Sequence, residues 1–180
     1  MKGVVFTEFL EMVDQAFSPE ITESIVMDSD LASGGAYTTV GTYDHGEIIA
    51  LVGALSAKTQ QAVPDLVKAF GQHLFNTFVK VHPDFFVGSS NAFDFLEKVD
   101  SYIHVEVRKL YPDADLPTLT CNRPDPSTLV IDYASERGLA DLAHGLIEAC
   151  LSHFGEAVKL ERTDLDPPGT AATFRLTRIN

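Results

Sequence analysis

The chain has 180 residues, a net charge of −13 and a hydrophobic fraction of 45%, with 12 Phe and no Trp. This length predicts one domain with a sizeable core, and the acidic balance argues against a nucleic-acid binder, because phosphates need clustered Lys and Arg. An uncharged ligand or a weakly polar protein partner suits the balance better. No apolar run reaches membrane-spanning length, and Glu8 and Glu11 interrupt the first apolar stretch, so neither a membrane segment nor a secretory signal is expected. Cys121 and Cys150 have neither disulfide-framework nor zinc-site spacing, which predicts a reducing, cytoplasmic setting.

Taken in chain order, the first two-thirds reads as helix. "GVVFTEFLEMVDQAF" carries a broad apolar stripe, and Ser18-Pro19 has the form of a cap and first position for a second helix through Val26. Residues 28–43 are rich in Gly and Thr and read as loop. Asp44 with Glu47 three residues on predicts a reciprocal capping arrangement for a helix to about Lys58. Leu66, Phe70, Leu74, Phe78 and Val81 recur near the four-residue step, predicting a long buried helix with Gly71 inside it. One further helix is expected from about Ala92 to Leu110. At Tyr111 the character changes. Leu119–Asn122 and Thr128–Tyr133 predict a hairpin, "GLADLAHGLIEACLSHF" an amphipathic helix, and "AVKLERT" and "TAATFRLTRI" two more strands around a "DPPG" turn. The fold class expected is therefore α+β, with a helical N-terminal part before a small antiparallel sheet and its helices.

Two stretches carry candidate chemistry. His104 falls at the margin of the stripe Leu96, Val99, Ile103, Val107 and Leu110, and taken alone it reads as a half-exposed helix histidine. The other histidines read the same way: His45 at a helix start, His73 and His82 on the long helix, and His144 and His153 on a shared face of a later one. If the strand through Tyr133 runs on, "YASER" turns Tyr133, Ser135 and Arg137 to one side, and three donors then converge as a carboxylate or phosphate would require. A solvated strand end is the alternative. No catalytic residue is nominated and no enzyme is expected. Ser135 lacks a G-x-S-x-G elbow, and the chain has no P-loop, no G-x-G-x-x-G and no HExxH.

A histidine on a helix, a Tyr/Ser/Arg donor set and a surplus of Phe, Leu and Val are together what protohaem needs: an axial nitrogen, propionate donors and apolar walls. With "MKGVVF", "FGQHLF", "HVEVRKLYPDADLP" and "YASER", the chain from Met1 to about Thr163 resembles the haem nitric oxide/oxygen binding (H-NOX) family, related to the haem domain of soluble guanylate cyclase. The resemblance implies haem b buried between a distal helical subdomain, about residues 1–60, and a proximal α+β subdomain, about 61–180. It implies His104 as iron ligand, Tyr133, Ser135 and Arg137 as propionate partners, and Pro117 as the residue that distorts the porphyrin. Val5, Leu74, Phe78, Leu142 and Leu146 would line the pocket. Oxygen-binding members carry a distal Tyr where this chain has Leu142. Cysteines of the zinc-binding members are missing from "VKLERTDLDPPGTAATFRL", so no such site is expected. Further implications are nitric oxide sensing, weaker carbon monoxide binding, release of His104, and a partner that is a sensor histidine kinase or a cyclic-di-GMP enzyme. An oxygen-binding or redox haem protein and a non-haem apolar-ligand module are the rival readings.

Overall fold

A computed structural model describes residues 1–166 and 169–179. Four helices open the chain: α1 (Gly3–Ala16), α2 (Pro19–Asp28), α3 (His45–Thr59) and α4 (Val63–Val81). Local chemistry sets their ends. The Ser18 hydroxyl accepts from the Ile21 amide at 3.4 Å, and Pro19 follows with its φ already helical. Asp44 caps α3 by accepting from Gly46 N at 2.6 Å. Glu47 does not complete the reciprocal cap expected of it. It turns inward, buried, and accepts from the Tyr37 hydroxyl at 2.6 Å and from the Ser33 hydroxyl and amide. Those bonds pin the 28–43 loop to α3, a use of the carboxylate that local spacing does not reveal. On α4 the expected stripe holds at Leu66, Phe70 and Leu74, but Val81 is 61% exposed, because the helix ends there against His82-Pro83.

The helix expected over residues 92–110 is broken into three. After a 3₁₀ turn (Pro83–Phe86), α5 (Ala92–Leu96) stops early, Val99–Ile103 winds as a π-helical turn, and α6 (His104–Leu110) follows. The π turn inserts an extra residue per turn and re-phases everything after it. His104, at the stripe's margin in a regular helix, is thereby rotated inward and is only 9% exposed, while Leu110 is left 58% exposed.

The hairpin forms as β1 (Thr118–Asp125) and β2 (Thr128–Ala134), and α7 (Ala140–His153) leads to β3 (Val158–Asp166) and β4 (Ala171–Arg178). All pairs are antiparallel in the order β1-β2-β4-β3, with Tyr133 opposite Ala172. Of the "DPPG" turn, Pro167 and Pro168 lie outside the described residues. His144 and His153 do not share a face, being nine residues and thus half a turn apart: His144 meets Phe174 of β4, and His153 meets Phe75 and Phe86.

Two apolar cores meet along α4. The first joins Phe6, Phe9, Ile25, Leu51 and Leu55 to Leu66, Phe70 and Leu74; the second joins Phe75 to Phe93, Phe95, the inner face of the sheet and α7. Close approach of α4 and α7 holds the seam together, with Gly71 against the Leu142 carbonyl and Gly145 against that of Lys68. Leu146 packs on both cores.

Candidate functional site

Where the cores part, the fold encloses a cavity of about 320 Å³, within the size range of small-molecule sites. Its walls come from α1, α4, α5, the π turn, α6, the 113–117 loop, β2 and α7. All ten residues nominated from sequence line it: Val5, Leu74, Phe78, His104, Pro117, Tyr133, Ser135, Arg137, Leu142 and Leu146. The two rival positions for His104, solvent and interior, are thus separated by the π turn.

His104 is held by its neighbours in two ways. Its backbone N–H reaches the Val99 carbonyl, five residues back, and its Nδ1 lies 3.1 Å from Asp100 Oδ1. Asp100 also accepts from the Leu119 amide at 3.4 Å, which ties the pair to β1. Since a carboxylate only accepts, Nδ1 carries the proton and the Nε2 lone pair is left for the cavity. Burial pushes the His104 pKa below that of a free imidazole, against the opposing pull of Asp100. A neutral, oriented imidazole results, as metal ligation requires. Sequence reading passed over Asp100, although its place one helical turn before His104 was a usable signal.

The donor set converges by a different route from the one expected. Strand β2 ends at Ala134; the Ser135 amide donates to the Thr170 carbonyl, and the chain then turns, with Arg137 N donating to Ser135 Oγ at 3.2 Å. Strand alternation therefore explains Tyr133 alone, and the turn brings Ser135 and Arg137 beside it. Burial raises the Tyr133 pKa, so its phenol remains a donor. Arg137 gives its Nε to Asp115 Oδ2 at 3.0 Å.

Across the cavity, the wall of Val5, Leu74, Phe78, Leu142 and Leu146 has no side-chain hydrogen-bond donor. His73 turns away as expected, its Nε2 3.3 Å from Glu8 Oε2 between α1 and α4. Another histidine, His82, does reach the cavity, stacked on Phe85 with ring centroids 4.9 Å apart. Its position at the end of α4 gave no hint of this. The whole suits a flat apolar group with a metal on one face and carboxylates on its rim.

Comparison with known proteins agrees. The model of the Haem-NO-binding family matches residues 2–162. The Fe(II) unliganded H-NOX protein from K. algicida is 32% identical with a TM-score of 0.95, over 100% of this chain and 97% of that one. H-NOX from Shewanella woodyi, solved with IWP-051 bound in the Fe(II)CO state, is 38% identical with a TM-score of 0.84, over 99% and 95%. The S. oneidensis H-NOX in its Fe(II)NO state, 23% identical with a TM-score of 0.91 over 100% of both chains, supports the fold alone. No curated protein matches. The family match over nearly the full length, on an α+β fold whose cavity holds a neutral imidazole opposite an apolar wall, makes this chain a member of the H-NOX family of haem-binding gas-sensor domains.

Proposed function

We propose that this protein is a nitric oxide sensor that uses ferrous haem b and reports to a partner signalling protein by releasing His104. The observation that carries this reading is the pairing of a neutral His104 imidazole with the cavity residues Val5, Leu74, Phe78, Leu142 and Leu146, none of which offers a donor. When bound, ferrous haem would supply the site at which the gas binds.

The chain's own residues do the rest. His104 Nε2 would hold the iron, kept facing the cavity by Asp100 at Nδ1. Tyr133, Ser135 and Arg137 would bind the propionates, Arg137 through the guanidinium nitrogens that Asp115 does not take. Pro117 would bear on the porphyrin from the loop after α6. Freed from the haem, α6 would be untethered at its first residue, next to a π turn whose hydrogen bonding is already irregular. The distal part, about residues 1–60, would then shift against the proximal part, a two-state element biased by the ligand. A sensor histidine kinase or a cyclic-di-GMP enzyme would read the shift. Supporting a protein partner are the net charge of −13 and the fact that no helix among the described residues is long and apolar enough to cross a membrane.

Absorption spectra of the ferrous protein, in air and with nitric oxide, test this reading. The expected result is a Soret band that ignores air and changes with nitric oxide. A stable oxygen complex would move the protein to the oxygen-binding reading, and a colourless protein to a non-haem ligand module. His104→Gly should lose most haem and regain it with added imidazole; an unchanged ferrous spectrum without imidazole would refute the ligand assignment.

A further inference from the structure

The acidic loop between α6 and β1 carries Asp115 at the rim of the cavity, with 65% of its side chain exposed, and Asp115 bonds the one guanidinium nitrogen that faces away from Arg137's forked end. The Arg137 side chain is 18% exposed, and among the described residues its Nη1 and Nη2 have no hydrogen-bonded protein partner. We infer that Asp115 is a positioning residue for the cofactor: by holding Arg137 at Nε, it presents the paired Nη edge to a haem propionate. The inference rests on the haem reading of the site.

The geometry favours this over a bystander role. A guanidinium has two edges that can meet a carboxylate, Nη1/Nη2 and Nε/Nη2, and its long stem leaves it many rotamers. Anchoring Nε fixes the plane of the fork, so the entropy of ordering Arg137 is lost before the ligand arrives rather than on binding. Asp115 also stands two residues before Pro117 in the same loop. The Nε bond therefore sets the position of the propionate clamp relative to the residue that presses on the porphyrin.

An opposing effect exists. Asp115 is an anion near the place where anionic propionates would lie, and as a competitor it would weaken haem binding. Its exposure decides between the two. Repulsion from a carboxylate 65% open to solvent is screened, whereas the 3.0 Å bond to a mostly buried guanidinium is direct.

Haem loss from the ferric holoprotein to excess apomyoglobin measures the difference. Asp115→Asn should speed loss about fivefold or more, and Asp115→Glu should restore most of the retention. In an Arg137→Gln background, Asp115→Asn should change the rate less than twofold, since the group it positions is gone. Titration of the haem-free proteins with haemin should rank them in the same order. Unchanged or slower loss from Asp115→Asn would overturn the proposal, as would an equal effect in the Arg137→Gln background. Wild-type protein that takes up no haem would instead sink the underlying reading, and this inference with it.

Discussion

Retention of dioxygen at ferrous haem depends on a distal hydrogen-bond donor, because that ligand carries partial negative charge; nitric oxide and carbon monoxide depend on it far less. Leu142 lines the cavity at the position where the resemblance places the distal Tyr of oxygen-binding members. A hydrogen bond of ~1–3 kcal/mol corresponds to roughly 5- to 150-fold in affinity. Leu142→Tyr should therefore give measurable oxygen binding by absorption in air-saturated buffer, while the unmodified protein stays ferrous and unliganded. The two thiols make a separate residue-scale test. Burial, with Glu97 and Asp100 nearby, pushes Cys121 from 9.0 up to about 11, and burial raises the fully enclosed Cys150 further. At pH 8 the thiolate of Cys121 is then scarcer by a factor of ~100, and iodoacetamide should label the folded protein that much more slowly than the urea-unfolded chain. Both cysteines were legible as unpaired from spacing; their inertness comes from packing, which spacing does not encode.

At the scale of elements, helix starts were legible and helix continuity was not. Ser18-Pro19 and Asp44 carry their own capping chemistry, so a reader of the sequence finds them. Nothing in "EKVDSYIH" marks a π turn, because every residue there is compatible with an α-helix; the turn delivers His104 to the cavity. Likewise Y-x-S-x-R pointed to three residues that all line the cavity, on a wrong premise of continuous strand. The α4–α7 contact makes the strongest element-scale prediction. A Cβ on Gly145 would lie 2.0 Å from the Lys68 carbonyl oxygen, a backbone atom that cannot step aside. Gly145→Ala should push the helices apart and destabilise the fold by ~1–3 kcal/mol, read as a lower denaturant midpoint. Glu47 gives a pH-dependent counterpart. Burial alone would raise its carboxyl, but donors from Ser33 and Tyr37 outweigh burial and hold the pKa below the usual 4.5. A depressed carboxyl adds stability above its unfolded pKa and loses it as pH falls through the folded value. The stability gap between wild type and Glu47→Gln should thus be fully open near neutral pH and close below about 4.5.

Across the whole molecule, the start of α1 is tied to the loop after α6. Lys2 Nζ donates to Thr42 Oγ1 at 2.7 Å and to Asp113 Oδ1 at 3.1 Å, and Thr42 donates to the other Asp113 oxygen at 2.8 Å. Lys2 also lies over the Tyr111 ring, 5.4 Å from its centroid. These contacts join the distal helices to the loop that carries Pro117, so they belong to one arrangement of the two halves and must rearrange if the halves shift. Being exposed at Asp113, they are weak and screened by salt, which suits a bias on an equilibrium rather than a lock. If His104 release drives that shift, then weakening the tie has the same sign as binding nitric oxide. Asp113→Asn should move the unliganded protein part of the way towards the nitrosyl form in its effect on a partner kinase. The measurement is the autophosphorylation rate of the kinase with unliganded and nitrosyl protein, wild type and Asp113→Asn, over a range of stoichiometries. Nitric oxide should act only when both proteins are present, and the variant should narrow the gap between the two forms from the unliganded side. Equal kinase rates with both wild-type forms would remove the sensor role for that pair. A variant that changes neither form would show that the tie stays closed in both.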